Sequence, residues 1–368
     1  MLYVYFSVFF IALLLSGLAC AVVRRVAPTF GLVDKPGERK IHTTSIPTGG
    51  GLGIWFGVVV PFIVAQLVLF LLLQNKDLQS RLPETIAVRL DGFWFRSGQL
   101  WTLLGLGSLL VLLGTLDDRF NLSWKLRIGV QTAVASLAVY GGWQLTSSIF
   151  PDWLACVLSV FWIVGLINSF NMLDNMNGLS AGVAAICTAF LAVVMMFAPN
   201  PFSQEPQFFV AGFLIVLVGS LSGFLIHNNP FRATMFMGDG GAYFIGFLLA
   251  TTTLSATFFS GEASQQTVFV PLLILALPLY DTITVVRIRL QSGKSPFVGD
   301  KNHFSHRLVD LGLTKTQAVL TVYLVTTICC LGSLLLYQVG FFGASLIFFQ
   351  TLLVLLLVAI IEHTGRSR

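Results

Sequence analysis

Long apolar runs, separated by short polar stretches, dominate the chain from one end to the other. A helix rises about 1.5 Å per residue, so about twenty apolar residues are enough to cross the hydrocarbon core of a bilayer. The runs predict an all-α, polytopic membrane bundle that forms a single transmembrane domain over residues 1–368. About eleven transmembrane helices are predicted, at 3–23, 48–73, 99–116, 128–146, 152–167, 179–198, 208–226, 240–259, 267–286, 317–337 and 341–361.

Composition also indicates a membrane protein. Of the 368 residues, 56% are hydrophobic and 10% are charged, whereas water-soluble domains carry about 25% charged residues. The five cysteines fall in or beside predicted spans at no metal-ligand spacing, so we expect small packing residues and no disulfide framework. They are Cys20, Cys156, Cys187, Cys329 and Cys330.

The distribution of basic residues predicts the orientation of the bundle. The first apolar segment lacks a basic start and is followed by Arg24 and Arg25, which favours a retained span with a periplasmic N-terminus over a cleaved signal peptide. Eleven spans then leave the C-terminus in the cytoplasm. Of the 21 Lys and Arg residues, seventeen fall in loops assigned to the cytoplasm and four in the opposite loops, as the positive-inside rule requires.

Two loops are long enough to carry structure of their own. In the outer loop, 74–98, Asp91 and Gly92 separate two short β-prone runs, which predicts a β-hairpin. The hairpin is expected to form a small extracytoplasmic flap or lid, or, as the alternative, an ordered connector without a function of its own. The cytoplasmic loop 287–316 is rich in His and Arg. The inner loops abut spans that carry polar residues, so we expect them to meet at a cytoplasmic cavity between helices.

The first inner loop combines alternating charges with glycines. Lys40 and His42 precede Thr48 and Gly50, which open the second predicted span. Glycines at a helix start let a ligand approach the backbone, and free N–H groups there favour anions. The alternative is an ordinary basic flank that ends in a turn.

Asp117 and Asp118 end the third predicted span and are followed by Lys125 and Arg127. A carboxylate pair at the mouth of a bundle favours a nearby cation, because an Asp at the centre of a spanning helix costs about 2.5–3.5 kcal/mol. Helical neighbours point about 100° apart, so one carboxylate can take a proton or bind a metal while the other holds a basic side chain. The alternative is a pair of surface charges neutralised by the basic residues.

Asn168, Asn171, Asp174 and Asn177 recur at a spacing of three between two apolar spans. Such a row lies on one face of a 3₁₀ turn, whereas in an α-helix it rotates by about 60° per step. Four amide or acid groups in a row indicate a binding or catalytic role, with interhelical hydrogen bonding as the alternative.

Asp239 lies in a glycine-rich turn at the start of the eighth predicted span. A carboxylate in such a turn can hold Mg²⁺, which typically uses one or two carboxylates together with substrate phosphates. The adjacent N–H groups can reach phosphate oxygens. The alternative is a simple helix N-cap.

The last inner loop places His303, His306 and Arg307 close together. The spacing of the two histidines also suits a metal, but further zinc ligands are not evident, which favours phosphate contacts or proton transfer. Asp281, within an apolar run, is a buried acid that needs a partner, for a structural or a functional purpose.

These motifs, in this order, resemble those of the polyprenyl-phosphate N-acetylhexosamine-1-phosphate transferase family, within glycosyltransferase family 4. The resemblance is carried by Asp-Asp-Arg at Asp117, the Asn/Asp row, Phe-Met-Gly-Asp-Gly-Gly around Asp239 and the downstream His-x-x-His. It runs from about Gly31 to Leu313 and is closest to the branch that loads GlcNAc-1-phosphate onto undecaprenyl phosphate.

The resemblance implies an enzyme that moves HexNAc-1-phosphate, and first of all GlcNAc-1-phosphate, from a UDP-sugar to undecaprenyl or another polyprenyl phosphate, releasing UMP. This reaction initiates the synthesis of a cell-envelope polysaccharide. The implied partners are UDP-N-acetylhexosamine, the polyprenyl phosphate and membrane lipid, with no nucleic acid and with a homodimer by analogy. The active site is expected on the cytoplasmic face of the inner membrane. The alternatives are a phospho-MurNAc-pentapeptide-type translocase and a non-enzymatic transporter of lipid-linked sugars, whose polar residues would extend to the midplane.

The resemblance also assigns roles to matching residues. It implies Mg²⁺, with Mn²⁺ as a substitute, bound at Asp239 and Asn171, and it implies that Asp117 and Asp118 handle the lipid phosphate. Asp117 is expected to deprotonate or position that phosphate, and Asp118 is expected to support the metal site or the basic residues. The expected catalytic residues are Asp117, Asp118, Asp239 and His303. The expected substrate-binding residues are Lys40, His42, Thr48, Gly50, Lys125, Arg127, Asp174, Asn177, His306 and Arg307.

Two positions depart from the pattern of the bacterial family members. Asn177 stands where bacterial members commonly have Asp, at a position that resembles a uracil-reading site. Ser305 replaces the middle histidine of the bacterial His motif.

Overall fold

Helices occupy every position at which the apolar pattern predicts a membrane span. The computed structural model describes residues 2–34, 45–145, 151–197, 207–255, 269–296, 300 and 302–366, which fold as a helical bundle. The helices are α1 (Leu2–Val26), α2 (Gly50–Gln74), α3 (Lys76–Ser80), α4 (Glu84–Ala87), α5 (Leu90–Phe120), α6 (Trp124–Tyr140), α7 (Asp152–Leu173), α8 (Leu179–Phe197), α9 (Phe208–Leu225), α10 (Gly238–Ser255), α11 (Val270–Ile274), α12 (Ala276–Gln291), α13 (Phe304–Asp310), α14 (Lys315–Leu335) and α15 (Phe341–Arg366). A 3₁₀ helix (Ala27–Phe30) follows α1, and β1 (Val33–Asp34) pairs antiparallel with β2 (Ile46–Pro47).

Eight helices in these ranges are long and apolar enough to cross a membrane: α1, α2, α5, α7, α8, α9, α14 and α15. The predicted fourth, eighth and ninth spans correspond to α6, α10 and the pair α11 and α12, which are shorter or more polar. The all-α, polytopic fold is therefore confirmed. The count of eleven spans and the orientation of the bundle stay predictions.

The ninth predicted span is broken at Leu275, between α11 and α12. Pro278 has no N–H to donate to the carbonyl four residues earlier, that of Ile274. The thiols of Cys187 and Cys330 donate to this carbonyl instead, at 3.1 and 3.5 Å. All five cysteines are free, as expected, and two of them satisfy a backbone group that the proline leaves open.

The outer segment 74–98 is helical, so the predicted β-hairpin is wrong. Helices α3 and α4 lead into α5, which begins at Leu90 and includes Asp91 and Gly92. An isolated hairpin is only marginally stable, whereas extending an existing helix adds a hydrogen bond for each residue that is fixed. Helix α5 therefore continues outward through the predicted turn.

Glycines allow the start of α10 to lie close to α2 and α5. Lipid is as apolar as a leucine side chain, so membrane helices associate through tight packing, which small residues permit. A Cβ added to Gly114 of α5 would collide with the backbone of Asp239 and Gly240, and one added to Gly51 of α2 would collide with that of Gly241. The beginning of α10 is thus held between two helices.

Backbone pairing continues from β2 to the segment before α10. Phe236 donates its N–H to the carbonyl of Pro47 at 2.8 Å, and Gly50 donates its N–H to the carbonyl of Phe236 at 2.9 Å. The N–H of Gly50 is therefore not free for an anion, which corrects the expectation from the sequence. Gly50 therefore holds the start of α2 against the segment before α10. Thr48, two residues earlier, is buried and donates its N–H to the carbonyl of Leu32 at 3.0 Å.

Candidate active site

Asp118 and Asp239 lie against each other where α5 ends and α10 begins. The turn requires glycine, because Gly238 has a left-handed φ of 76° and an added Cβ would collide with the Asp118 carboxylate. Asp118 Oδ1 accepts the backbone N–H of Asp239 at 3.1 Å. Asp118 thus satisfies the N–H at the helix start, and the Asp239 carboxylate is not used as a cap.

The Asp239 carboxylate lies among donors from three helices. Its Oδ1 accepts a hydrogen bond from Asn171 Nδ2 at 2.6 Å, and its Oδ2 lies 3.5 Å from the Tyr243 hydroxyl. Arg127 Nη1 is 3.7 Å from the same Oδ2. The Asp239 side chain remains 28% exposed, so a ligand can reach it.

Asp117 is the buried member of the carboxylate pair, with 4% of its surface exposed. Its Oδ2 accepts from Arg127 Nη1 and from the Tyr243 hydroxyl, at 2.8 and 3.2 Å. Its Oδ1 accepts the Leu122 N–H at 2.8 Å. A buried charge is tolerated when it is paired, so the pair fixes both partners. Asp117, and not Asp118, holds the basic side chain, which reverses the expected division between the two carboxylates.

The Asn/Asp row does not form a common 3₁₀ face, because a helix ends within it. Helix α7 stops at Leu173, and Asp174 is its C-cap residue. Asn177 belongs to the turn that precedes α8. The four side chains are therefore presented by a helix end and a turn.

Two members of the row make contacts of different kinds. Asn168 donates to Gln131 of α6 at 2.7 Å, which is the interhelical hydrogen bond of the alternative interpretation. Asn171, one turn later on α7, reaches the Asp239 carboxylate. Only part of the row therefore contributes to the site.

Asp174 and Asn177 lie beside the site in the turn after α7. Burial, followed by the nearby Asp239 carboxylate, raises the pKa of Asp174 to about 7. Asn177 is half-buried, and its amide has no hydrogen-bond partner among the described residues. An acid that titrates near neutrality and an open amide are both available to a polar ligand.

Asp281 and His303 form a second polar cluster. Asp281 Oδ2 is 2.9 Å from His303 Nδ1, and Asp281 Oδ1 accepts the Phe304 N–H at 2.6 Å. Both side chains are buried. A carboxylate at Nδ1 orients the imidazole and favours a proton on that nitrogen, which leaves Nε2 as the acceptor. Asp281 thus has the partner that its position in an apolar run required.

His306 lies one turn beyond His303, with the ring centroids 6.4 Å apart. Within the described ranges, no three His, Cys, Asp or Glu side chains come together as a metal-ligand group. A zinc site needs more nitrogen or sulfur ligands than two histidines provide. Phosphate contact or proton transfer remains the prediction for this pair.

Arg307 is buried and is held by groups of the protein itself. Its Nη2 lies 2.9 Å from Glu362 Oε1 and donates to Thr284 Oγ1 at 3.2 Å, and its Nη1 donates to the carbonyl of Asn302. Only 5% of the residue is exposed. Arg307 is therefore paired with groups of the protein, and not with the substrate phosphate that the sequence suggested.

Ser305, which replaces the middle histidine of the family motif, has a structural contact. It is buried and donates to Asn175 Oδ1 at 2.6 Å. Asn175 belongs to the same turn as Asp174 and Asn177. The contact therefore ties the short helix α13 to the turn at the active site.

The remaining predicted residues lie away from the two clusters or outside the described ranges. Lys125 is exposed, with its Nζ 5.9 Å from the centre of the Trp124 ring. Thr48 and Gly50 take part in the backbone contacts that hold the start of α2. Lys40 and His42 lie outside the described residues.

Two site residues were not anticipated from the sequence. Tyr243 lies one helical turn after Asp239, so the period of α10 could have identified it. Glu362 follows the last apolar run and pairs with Arg307, 55 residues earlier in the chain. No local pattern indicates that second pairing.

Asp239 offers a partly exposed carboxylate of the kind that Mg²⁺ takes, although no three acids or histidines in the described ranges converge on one metal position. Mg²⁺ takes oxygen ligands and is usually bound by one or two carboxylates, waters and substrate phosphates. Asp239 is partly exposed, with Asp118 and Asp174 as neighbouring acids. The Asn171 amide nitrogen faces Asp239, so this amide must turn for its oxygen to serve as a ligand.

Fold and site together define a multi-pass helical membrane protein with an acidic, partly exposed site where α5, α6, α7 and α10 meet. The sequence profile of Glycosyl transferase family 4 matches residues 100–257, which include the whole carboxylate cluster. A relative in Yersinia pestis is 30% identical over 343 residues, which are 89% of this chain and 81% of the relative. The chain therefore belongs to this family.

Three relatives are all named as enzymes that transfer N-acetylglucosamine phosphate to a polyprenyl phosphate. The Yersinia pestis protein is an undecaprenyl-phosphate alpha-N-acetylglucosaminyl 1-phosphate transferase. A probable undecaprenyl-phosphate N-acetylglucosaminyl 1-phosphate transferase of Bacillus subtilis (strain 168) is 28% identical, over 97% of this chain and 91% of the relative. A decaprenyl-phosphate N-acetylglucosaminephosphotransferase of Mycolicibacterium smegmatis is 29% identical, over 88% of this chain and 79% of the relative.

Proposed function

We propose that this chain transfers HexNAc-1-phosphate, with GlcNAc-1-phosphate as the first candidate, from a UDP-sugar to undecaprenyl or another polyprenyl phosphate. Relatives that match 88–97% of this chain are named as N-acetylglucosamine phosphotransferases that act on undecaprenyl or decaprenyl phosphate. The observation that carries the proposal is the partly exposed Asp239 carboxylate, 3.7 Å from a guanidinium and surrounded by further acids. Such a site suits a diphosphate and a divalent cation better than a neutral solute.

The reaction is a phosphoryl transfer. An oxygen of the lipid phosphate attacks the phosphorus that carries the sugar, the bond from that phosphorus to the bridging oxygen breaks, and UMP leaves with the electron pair. The protein has to align the two phosphates and stabilise the negative charge between them. A phosphate is already a nucleophile, so direct attack needs no covalent intermediate on the enzyme.

The side chains of the carboxylate cluster divide these tasks. Asp239 and Asn171 would hold Mg²⁺, which when bound neutralises diphosphate charge and aligns the leaving group. Arg127, held by Asp117, offers its guanidinium to the phosphates beside Asp239. Asp118 maintains the position of Asp239 through its backbone N–H. Asp117 therefore acts on the phosphates through Arg127.

The second cluster and the turn after α7 would complete the substrate contacts. His303, oriented by Asp281, is proposed to contact phosphate or to transfer a proton through its Nε2. Asn177, with its open amide, is proposed to read uracil. Both lie on segments joined by the contact between Ser305 and Asn175.

The location of the site follows from the substrates. UDP-sugars are cytosolic, and the bias of basic residues assigns the loops of the site to the cytoplasm. The proposal therefore includes the inner membrane, a cytoplasmic active site and an isoprenoid chain lying between helices. A homodimer is proposed by analogy, and native mass spectrometry of the detergent-solubilised protein tests it.

An assay with purified protein tests the function directly. Undecaprenyl phosphate is incubated with a panel of UDP-sugars that includes UDP-GlcNAc, UDP-GalNAc and UDP-MurNAc-pentapeptide, and UMP release is followed with and without Mg²⁺. We expect turnover with a UDP-HexNAc that stops when EDTA is added. Turnover with the pentapeptide substrate alone would favour the translocase, and no turnover with any of the sugars would contradict the proposal.

The role of Asp239 is tested by Asp239→Asn. Loss of the charge at the proposed metal site should reduce turnover at least about a hundredfold, in the range of other lost electrostatic contributions to catalysis. Asp152→Asn is the matched control, because Asp152 is exposed at the start of α7 and distant in sequence from every site residue. Retained activity in Asp239→Asn would refute the metal assignment.

A further inference from the structure

We infer that Glu362 of the C-terminal helix α15 is a positioning residue that acts on His303 through Arg307 and Asp281. The inference rests on the proposed function, in which His303 contacts phosphate or transfers a proton. It assigns to the end of α15 a part in the active site, through a contact with Arg307, 55 residues earlier in the chain.

The Glu362 side chain turns towards the protein. Helix α15 is largely apolar, with many exposed large side chains. The Glu362 side chain is nevertheless only 10% exposed. Its Oε2 accepts from the Tyr280 hydroxyl at 3.0 Å, and its Oε1 lies 2.9 Å from Arg307 Nη2.

Arg307 lies between two acids at unequal distances. Its Nη2 is 2.9 Å from Glu362 Oε1 and 4.0 Å from Asp281 Oδ1. A buried guanidinium requires a negative partner, and removing one partner of a buried ion pair is costly. Glu362 supplies that charge in direct contact, so Arg307 has no need to approach Asp281.

Both carboxylate oxygens of Asp281 already have a partner. Its Oδ2 is occupied by His303 Nδ1, and its Oδ1 accepts the Phe304 N–H at the start of α13. If the charge of Glu362 is removed, Asp281 is the acid left beside Arg307. Arg307 then competes for the Oδ1 that holds the start of α13, and His303, the residue before Phe304, loses its orientation.

The displacement should be confined to the start of α13. Ser305 anchors this helix to Asn175, and that contact does not involve Arg307. Residues that bind the nucleotide near Asn177 should therefore stay in place. The expected signature is a loss of kcat with KM for the UDP-sugar almost unchanged.

Glu362→Gln tests the route because it keeps the shape of the side chain and removes its charge. We expect kcat to fall about tenfold, because residues in direct contact within one network couple by energies of this size. The KM for the UDP-sugar should change less than about twofold, because the lost interaction acts on turnover and not on substrate binding. Thr351→Ala is the control on the same helix, since its hydroxyl donates to the carbonyl of Ile347 within α15. Its kcat should equal that of the wild type.

The double variant Arg307→Met/Glu362→Gln tests whether Glu362 acts on His303 through Arg307 or only holds the end of α15 in place. The guanidinium no longer competes for Asp281, and only its hydrogen bonds to the Asn302 carbonyl and to Thr284 are lost with it, so kcat should return to within about threefold of the wild type. A double variant as slow as Glu362→Gln, or slower, would overturn the inference. If Glu362→Gln does not fold, the double variant alone decides, because it removes the buried pair as a whole.

A measurement that does not depend on turnover separates this inference from the proposed function. Carbethoxylation of His303 by diethyl pyrocarbonate, followed by peptide mass spectrometry, should be faster in Glu362→Gln and return to the wild-type rate in the double variant. Equal rates in all three proteins would overturn the inference even if the enzyme is active. An inactive wild type with these rate differences would refute the function and leave the positioning intact.

Discussion

At the scale of single residues, the site depends on which carboxylate is paired and which is left open. Asp117 is buried and held by Arg127, whereas Asp239 is partly exposed and reached by Asn171. The sequence indicated that one acid of the pair would hold a basic residue, but it favoured Asp118, whereas Asp117 holds Arg127. That choice depends on the direction in which each side chain leaves α5.

Arg127→Met tests the pairing of Asp117. The change leaves a carboxylate that is 4% exposed without its charged donor, which should destabilise the protein by about 1–3 kcal/mol. Thermal unfolding in detergent measures the effect. Arg119→Met is the control, since Arg119 is exposed and lies 4.9 Å from the Phe120 ring. An equal loss of stability in both variants would contradict the buried pair.

The pKa of Asp174 predicts a pH dependence of stability. Its value of about 7 lies above the ordinary value of an Asp, so the folded protein binds this proton more tightly than the unfolded chain does. The stability it contributes is complete below about pH 4 and is lost as the pH rises towards 7. With EDTA present, the thermal midpoint of the wild type should fall between about pH 4 and pH 7.

Asp174→Asn should flatten this fall, because the amide does not titrate. Asp152→Asn should keep the slope of the wild type, since Asp152 is exposed at the start of α7. Parallel slopes for Asp174→Asn and the wild type would mean that another group is responsible.

At the scale of elements, the site is built where helices end, and glycine lets those ends approach. The start of α10 lies against α5 at Gly114 and against α2 at Gly51. The glycine-rich turn at Asp239 was evident in the sequence, but its partners on two other helices were not. Contacts between helices depend on crossing angle and rotation, which a linear pattern does not contain.

Gly114→Ala tests this contact. The added Cβ would meet the backbone of Asp239 and Gly240, and such overpacking typically costs about 1–3 kcal/mol. We expect a lower thermal midpoint and a loss of turnover, because Asp239 must move. Gly105→Ala on the same helix has nothing within 4 Å of its added Cβ, so it should be neutral or slightly stabilising. Similar behaviour of the two variants would contradict the close approach.

The outer segment shows how an element prediction can fail. Asp91 and Gly92 are typical of a hairpin turn, yet they lie inside α5. Turn residues indicate a hairpin only if the flanking strands have a sheet to join. Here they adjoin a long apolar helix, which continues through them. Neighbouring structure outweighed local propensity.

At the scale of the whole molecule, the polar ends of the helices are gathered on one side of the bundle. Hydrogen bonds join the end of α5 to the start of α10, the end of α7 to the start of α10, and the turn after α7 to α13. Such a site can serve a soluble nucleotide sugar and a lipid phosphate together. The bias of basic residues predicts that this side faces the cytoplasm.

Single cysteines at Ser80 and Ser292 test the orientation. Both positions are exposed, and they lie at opposite predicted sides of the membrane. A maleimide that cannot cross the membrane should label Ser80→Cys in intact spheroplasts and Ser292→Cys only after permeabilisation. Wild-type protein corrects for the native cysteines, and the reverse labelling pattern would contradict the predicted topology.

The sequence by itself determined the fold class and the chemical groups of the site. Apolar length and composition are local properties, and every predicted span contains a helix because a backbone in lipid must satisfy its own hydrogen bonds. The acids and amides of the site were likewise identifiable from short motifs, among them Asp117, Asp118, Asn171 and Asp239.

Only the tertiary structure decided how these groups are paired. Asn171 meets Asp239 across 68 residues, and Glu362 meets Tyr280 across 82. Such pairs arise from the rotation and close approach of helices, which in a bilayer depend on small residues at contacts far apart in the chain. For that reason the exposed Asp239, the buried Asp117 and the control of His303 from α15 could be seen only in the folded molecule.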